Sequence, residues 1–279
     1  MNIEIALKEA NIILKKNNIK SYQLDSEILM SDVSKLSRKD FILNKDIELS
    51  DEKYQKFKKL IYERSKKKPI SYLIKKKEFW KNEFIINDKV LIPRPETEHL
   101  VNEALLVTSE KSGNILDLGI GSGCIILSVL QERKKFRGIG VDINSGPLVI
   151  SNKNAKKLGI ENRVKFVKSD IDNFRIGKYD LIVSNPPYIK SSDLKNLEKD
   201  IIGYEPRIAL DGGLDGMSEI RKVINTASKL IKINGKLIIE IAFNQKDKII
   251  SLLKNKEFYI NKIVKDYSGK DRCVVSTKI

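Results

Sequence analysis

Residues 114–123 read NILDLGIGSG, and this stretch decides the fold. Its first half is a short apolar run of the kind that forms a buried strand. Its second half, Asp117-Leu118-Gly119-Ile120-Gly121-Ser122-Gly123, turns sharply before a helical pattern opens at Cys124. Glycines allow such a turn and let a ligand approach the main chain with no Cβ in the way. In open parallel sheets ligands lie beyond the carboxyl ends of the strands, where this loop falls. It is not the dinucleotide fingerprint G-x-G-x-x-G. Counted from Gly119 the last place is Cys124, and counted from Gly121 it is Ile126.

Outward from that loop, short β-branched runs alternate with helical stretches. The runs are NILDLG (114–119), RGIGVDI (137–143), VKFVKSD (164–170), YDLIVSN (179–185) and KLIIEIA (236–242). Alternation of this kind predicts a mostly parallel sheet with helices on both faces. FYINKIVKD and RCVVSTKI at the tail predict an antiparallel edge. The second run ends at Asp142, 23 residues after Gly119, where a carboxylate can accept both hydroxyls of a ribose. Asp170 and Ile171, at the end of the third run, are candidates for the neighbourhood of an adenine.

Before residue 96 the texture differs. Residues 1–75 predict a small all-α domain: Ile3, Ala6, Leu7, Ala10, Ile13 and Leu14 share one helical face, and Leu24, Ile28, Leu29, Val33 and Leu36 another. Ser50, followed by Asp51 and Glu52, marks a helix start running through Phe57, Leu60 and Ile61. Residues 76–95, with an Asn-Asp turn signal and two prolines, predict a β-hairpin linker. Residues 96–279 form the alternating domain.

Composition narrows the class. A chain of 279 residues is comfortable for two domains. No apolar run approaches a membrane span, and MNIEIALKEANIILKK lacks the pattern of a signal peptide, so no membrane is expected. Two cysteines, Cys124 and Cys273, argue against a disulfide framework or a zinc site and fit a reducing cytoplasm. The single histidine, His99, cannot build a metal cluster and reads as a surface imidazole, so no metal is expected. Net charge is +16, and Lys53–Lys81 holds twelve Lys/Arg against two Glu. That patch suits an acidic protein or a nucleic-acid backbone, or reflects Lys-rich composition throughout.

The fourth strand stops in Asn185-Pro186-Pro187-Tyr188. Proline removes a ladder donor and restricts the residue before it, so the turn is rigid. A planar amine or amide nitrogen is a poor nucleophile, its lone pair being delocalised. The side-chain oxygen of Asn185 and the carbonyl of Pro186 can accept its two N–H groups and hold it for attack. Tyr188 can stack on the flat group, with Pro187 completing the pocket.

The D-L-G-x-G-x-G loop, the second-strand acid and the third-strand acid resemble the class I S-adenosylmethionine-dependent methyltransferases. Asn-Pro-Pro-aromatic also occurs in enzymes that methylate adenine N6, cytosine N4 or guanine N2 in nucleic acid. LIPRPETE (91–98), YEPRIALDGGLDG (204–216) and DYSGKDR (266–272), with the helical N-terminal domain, closely resemble the PrmC/HemK family over nearly the whole chain. These are the protein-(glutamine-N5) methyltransferases of peptide chain release factors. The resemblance implies a Rossmann-like α/β fold with a mostly parallel seven-stranded sheet. It implies S-adenosyl-L-methionine as cofactor and, as substrate, the Gly-Gly-Gln glutamine of class I release factors, bound by Asn185, Pro186, Pro187 and Tyr188. By position, Gly119, Ile120, Gly121, Ser122 and Gly123 would line the methionine and ribose part of the cofactor, Asp142 the ribose hydroxyls and Ile171 the adenine, with Asn185 near the methyl. Ile120 stands where Thr is common, and Ile171 where an aromatic is frequent. Arg94, Glu96, Glu98 and Glu205 belong to the matching motifs as binding or structural residues, and Asp271 with Arg272 is expected as a stabilising pair. The N-terminal domain and its basic patch become a docking face for the factor. A cytoplasmic monomer with no obligatory nucleic acid is expected; the alternatives are a nucleic-acid amino-group methyltransferase and a non-catalytic binder.

Overall fold

The computed structural model describes residues 1–43, 47–108 and 112–279, which divide into two compact units. The first comprises Met1–Lys76 together with Glu198–Tyr204. Its helices are α1 (Ile3–Lys16), α2 (Tyr22–Ser34), α3 (Arg38–Leu43), α4 (Asp51–Ser65) and α5 (Ile70–Ile74). The starts of α1 and α4 are capped by side chains that satisfy otherwise orphaned amides. Asn2 Oδ1 accepts from Glu4 N at 2.7 Å, and Ser50 Oγ accepts from Lys53 N at 3.4 Å. Ile3, Ala6, Ala10 and Leu14 meet Leu29, Met30, Val33, Phe57 and Ile61 in one core. Ile13 and Leu24 were expected on those faces but are exposed. Ile13 lies a hundred degrees round the helix from Leu14, at the edge of the apolar stripe.

The basic run is partly structural. Arg64 is buried and bonds Asp25 at 2.7 Å and Asp200, on the short helix Lys199–Ile202, at 3.1 Å. Lys66 lies over the Tyr62 ring, Lys67 donates to the Asn18 carbonyl, and Lys68 pairs with Glu63.

The second unit comprises Lys77–Leu197 and Glu205–Ile279. A two-stranded sheet of β1 (Lys76–Phe79) and β2 (Asn82–Ile85) lies at its start in sequence. Its turn is Trp80-Lys81 and not the Asn87-Asp88 pair that the sequence suggested. Trp80 takes a φ of +55°, uncommon for an aromatic residue, while its N–H donates to Glu98 Oε1 at 2.8 Å. That bond fastens the hairpin to α6 (Glu98–Val107).

The sheet then follows: β3 (Gly113–Leu118), α7 (Cys124–Glu132), β4 (Phe136–Asp142), α8 (Ser145–Lys157), β5 (Val164–Lys168) and β6 (Tyr179–Ser184). After it come α9 (Ser218–Leu230), β7 (Ile231–Glu240), α10 (Lys246–Lys254), β8 (Phe258–Lys265) and β9 (Asp271–Lys278). The strand order is β5-β4-β3-β6-β7-β9-β8. β5, β4, β3, β6 and β7 pair in parallel, and β9 runs antiparallel to β7 and β8, the edge that the tail predicted. Successive residues alternate between two cores, because side chains on a strand point to opposite faces. Ile115, Leu181 and Ile238 pack with Leu100, Ile126 and Leu130, whereas Leu116, Ile182 and Leu237 pack with Ile220, Ile224 and Leu253. Each such side chain contributes roughly 1.5–3 kcal/mol of burial. Chain order reverses direction at β3, so the carboxyl ends of β3, β4 and β6 flank a switch point, where open sheets bind ligands. No helix among the described residues is long and apolar enough to cross a membrane.

Candidate active site

The glycine loop leaves β3 at Leu118 under control of its neighbour strand. Gly119 N and Ile120 N both donate to Val141 O at 2.9 Å. Gly119 and Gly121 adopt φ of +82° and +55°, and no atom lies within 4 Å of where a Cβ would stand on either. The main chain there borders open space, as a cradle for a bound molecule requires. Two side chains of α8 hold the loop from behind: Ser151 Oγ donates to Gly121 O and Asn154 Nδ2 to Ser122 O, both at 2.9 Å. Asn154 also accepts from Ile85 N at 2.7 Å and donates to Ile85 O at 2.9 Å, which ties β2 to the loop.

One cavity gathers most of the expected residues. Gly119, Ile120, Gly121, Ser122, Asp142, Asp170, Ile171, Asn185 and Pro187 line it, together with Arg94, Thr97 and Cys124. Gly123, Pro186 and Tyr188 do not: Gly123 caps α7, Pro186 is buried, and Tyr188 packs against the core. Asp142 Oδ2 accepts from Gly121 N at 3.3 Å and Oδ1 from Asn144 N at 3.0 Å. Burial raises its carboxyl above the usual range, partly offset by those amides. A carboxylate has about four acceptor positions, so capacity for two hydroxyls remains. Asp170 accepts from Asp172 N, and the Ile171 carbonyl accepts from Thr226 Oγ1 at 3.0 Å, which fixes this wall. Burial pushes the Cys124 thiol up to about 12, so it stays protonated and is no nucleophile.

Ser184, at the end of β6, donates from Oγ to Leu118 O at 2.6 Å. That bond draws the strand end to β3 and delivers Asn185 beside the glycine loop. Asn185 Nδ2 donates to Thr97 Oγ1 at 3.1 Å. Tyr188 OH donates to Glu240 Oε1 at 3.3 Å, and Gln245 Nε2 holds the Tyr188 carbonyl at 3.1 Å. The motif then pairs with 204–216 through Ile189 N to Leu210 O and Gly212 N to Ile189 O. Glu205, with a side chain 1% exposed, accepts from Arg94 at 2.5 Å and from Ile92 N at 3.3 Å, joining that segment to 91–98. Glu96 is exposed.

Asp271 and Arg272 do not pair with each other, contrary to expectation. Neighbouring residues of a strand face opposite sides. Arg272 bonds Asp266 at 2.8 Å, and Asp271 pairs with Lys246 at 3.3 Å. His99 is half-buried, its ring 5.1 Å from that of Tyr267.

Sequence reasoning passed over Thr97 and Glu240. Glu240 is 1% exposed at the end of β7, among apolar neighbours. Burial pushes its carboxyl up to about 7, opposed by the nearby hydroxyls of Thr97 and Tyr188 and the charge of Arg272; Oε1 accepts from Tyr188, and Oε2 has no hydrogen-bond partner among the described residues. A lone acid inside LIIEIA was the available signal. Asp117 lies fully buried beneath the loop, with only a poorly placed Ile126 amide facing it, and burial raises it well above the usual range. The cavity therefore offers a main-chain cradle, a carboxylate suited to a diol, and an oriented amide, with no free thiolate.

Residues 6–74 match the family profile described as PrmC N-terminal domain, and residues 97–214 match the methyltransferase small domain. The chain is 40% identical over 278 residues to the release factor glutamine methyltransferase of Buchnera aphidicola subsp. Schizaphis graminum, covering 100% of both chains. It is 38% identical to that of Leptospira interrogans, covering 98% of this chain and 96% of the other. Among solved structures, the ribosomal protein L11 methylase of Lactobacillus delbrueckii subsp. bulgaricus shares the fold at 18% identity. Its TM-score is 0.52, over 72% of this chain and 89% of that one.

Proposed function

Because the chain belongs to the release factor glutamine methyltransferase family, we propose that it methylates the side-chain amide nitrogen of the Gly-Gly-Gln glutamine in class I peptide chain release factors. The observation that carries this reading is the shared cavity: Asn185 lines the same space as Gly119, Gly121 and Asp142. S-adenosyl-L-methionine is the donor, supplying a methyl carbon made electrophilic by a cationic sulfur. The open main chain at Gly119 and Gly121 fits such a group, because any side chain there would occupy its space. Residues 119–123 would hold its methionine and ribose part, Asp142 its ribose hydroxyls and Ile171 its adenine.

The remaining work belongs to the chain's own residues. Asn185 Oδ1 accepts one N–H of the substrate amide and the Pro186 carbonyl the other. Two acceptors fix the rotation of the amide and stabilise positive charge as it develops on nitrogen. The proton leaves once nitrogen carries that charge, so no strong base is required. Tyr188, held at its hydroxyl and its carbonyl and packed against the core, steadies the turn that carries Asn185. The helical unit docks the body of the factor. The enzyme acts in the cytoplasm as a single chain, without nucleic acid.

Intact release factor, DNA and RNA are to be incubated separately with the enzyme and labelled donor, and the factor digested for mass spectrometry. One added methyl on the Gly-Gly-Gln glutamine is expected. Label on a base with an unmodified factor would overturn the reading.

A further inference from the structure

Gln245, the residue before α10, is 6% exposed and is not among the residues that line the cavity. Its side chain nevertheless reaches the back of the Asn-Pro-Pro-Tyr turn. Nε2 donates to Tyr188 O at 3.1 Å and to Gly216 O at 2.9 Å, while Oε1 accepts from Ala242 N at 3.0 Å. The chemistry fixes which end points where. Carbonyl oxygens only accept and an amide NH2 only donates, so the nitrogen must face the two carbonyls. Two glycines show how closely the segments meet. A Cβ on Gly216, where φ is +75°, would stand 2.6 Å from Tyr188 O and 3.0 Å from Gln245 Nε2. A Cβ on Gly212 would stand 2.9 Å from both Pro187 O and Tyr188 C. A side chain on either glycine would part the turn from residues 212–216, so the contact is main chain on main chain.

The turn is held at both ends. Ser184 Oγ and Asn185 Nδ2 fix its start, on Leu118 O and Thr97 Oγ1. Two prolines lock their own φ angles, so between its anchors the turn moves as one piece. The Asn185 side chain and the Pro186 carbonyl ride on that piece, and the Gln245 bonds secure its far end. The same bonds reach the cavity wall, because Pro206, Ile208, Ala209 and Asp211 of the segment 204–216 line the cavity. Resting on the function proposed above, we propose that Gln245 is a positioning residue for methyl transfer: from outside the cavity it clamps the Asn-Pro-Pro-Tyr turn to residues 212–216 and so fixes where the two acceptors of the substrate amide stand. In-line attack on a methyl carbon tolerates little displacement of the nitrogen, and an error of about 1 Å can cost on the order of 100-fold in rate.

The test compares Gln245→Met, Gln245→Glu, Asn185→Ala and the double variant of Asn185→Ala with Gln245→Met in the full chain, with intact release factor as substrate and saturating S-adenosyl-L-methionine. Methionine matches glutamine in length and has no amide. Gln245→Met is expected to lower kcat about 10- to 100-fold, and kcat/KM for the factor by the same ratio. The donor Kd, measured by calorimetry, should stay within about twofold of the parent, because the Gln245 side chain bonds neither the glycine loop nor Asp142. In the Asn185→Ala background the substitution should cost less than in the parent, because one of the acceptors it positions is already absent. Parental kcat in Gln245→Met beside an impaired Asn185→Ala overturns the inference and spares the function. So does an equal loss in both backgrounds, or a donor Kd that weakens along with kcat, since either assigns Gln245 to general stability. Full activity in Asn185→Ala overturns the function itself. Should Gln245→Met fail to fold, Gln245→Glu replaces it under the same criteria: ionised, it keeps the length and an acceptor for Ala242 N but offers the two carbonyls no donor.

Discussion

Asn185 and Asp142 line one cavity but have different duties, and single substitutions separate them. Asn185 bonds no part of the glycine loop, and its hydrogen bond runs to Thr97. Asn185→Ala should lower kcat about 100-fold or more while leaving the Kd for S-adenosyl-L-methionine close to that of the parent. Asp142 accepts from the amides of Gly121 and Asn144, so its removal strips both a ligand group and a support of the loop. Asp142→Ala should raise that Kd about 10- to 100-fold, with the larger effect on kcat/KM appearing below donor saturation. Calorimetry beside initial rates checks both. If Asn185→Ala bound the donor as weakly as Asp142→Ala does, the assignment of duties would be wrong.

At the scale of elements, α8 works as a brace. Asn154 is 1% exposed and bonds both the glycine loop and β2. Asn154→Ala leaves the Ser122 carbonyl and both Ile85 groups without these partners. It should cost about 2–4 kcal/mol in urea unfolding and weaken donor binding, because the loop loses one of its two ties to α8. Unfolding with and without saturating donor measures both effects. Nothing in the sequence around Asn154 announced this role, since asparagine within a helix is unremarkable and its partners lie 32 and 69 residues away. The central strands were legible for the opposite reason. Ile115, Leu116, Leu181 and Ile182 are buried on both faces, so the apolar runs stand out without reference to partners. β7 begins at Ile231, five residues before the run KLIIEIA, because Lys232, Ile233 and Asn234 are exposed and interrupt the pattern. Thr97 was hidden within a motif read for its charges, and Glu240 within a strand read for its apolarity. Both become visible only when the fold brings Thr97 to Asn185 and Glu240 to Tyr188.

Unfolding involves the whole molecule, and its dependence on pH follows from acids the fold buries. Glu240 has a folded value of about 7 against an ordinary 4.5, and the cause is burial. A raised acid binds its proton more tightly in the folded than in the unfolded chain. Its contribution to stability is therefore complete below about 4.5 and is lost as pH rises through about 7, a difference of about 3 kcal/mol. Asp117 and Asp142 are also raised by burial and act in the same direction. The opposing groups, Asp40, Glu132, Asp211, Asp215, Glu257 and Asp266, are lowered acids whose support is lost only at acid pH, below the ordinary carboxylate range. Between pH 5 and 8 urea stability should thus decline rather than rise. Glu240→Gln should flatten the decline, and adding Asp117→Asn should flatten it further, because each replaces a titrating acid with a neutral amide. Midpoints of urea unfolding at four pH values across that range measure the slope. A parent protein whose stability climbs with pH would mean that Glu240 is ionised at little cost, and that the donors around it outweigh its burial.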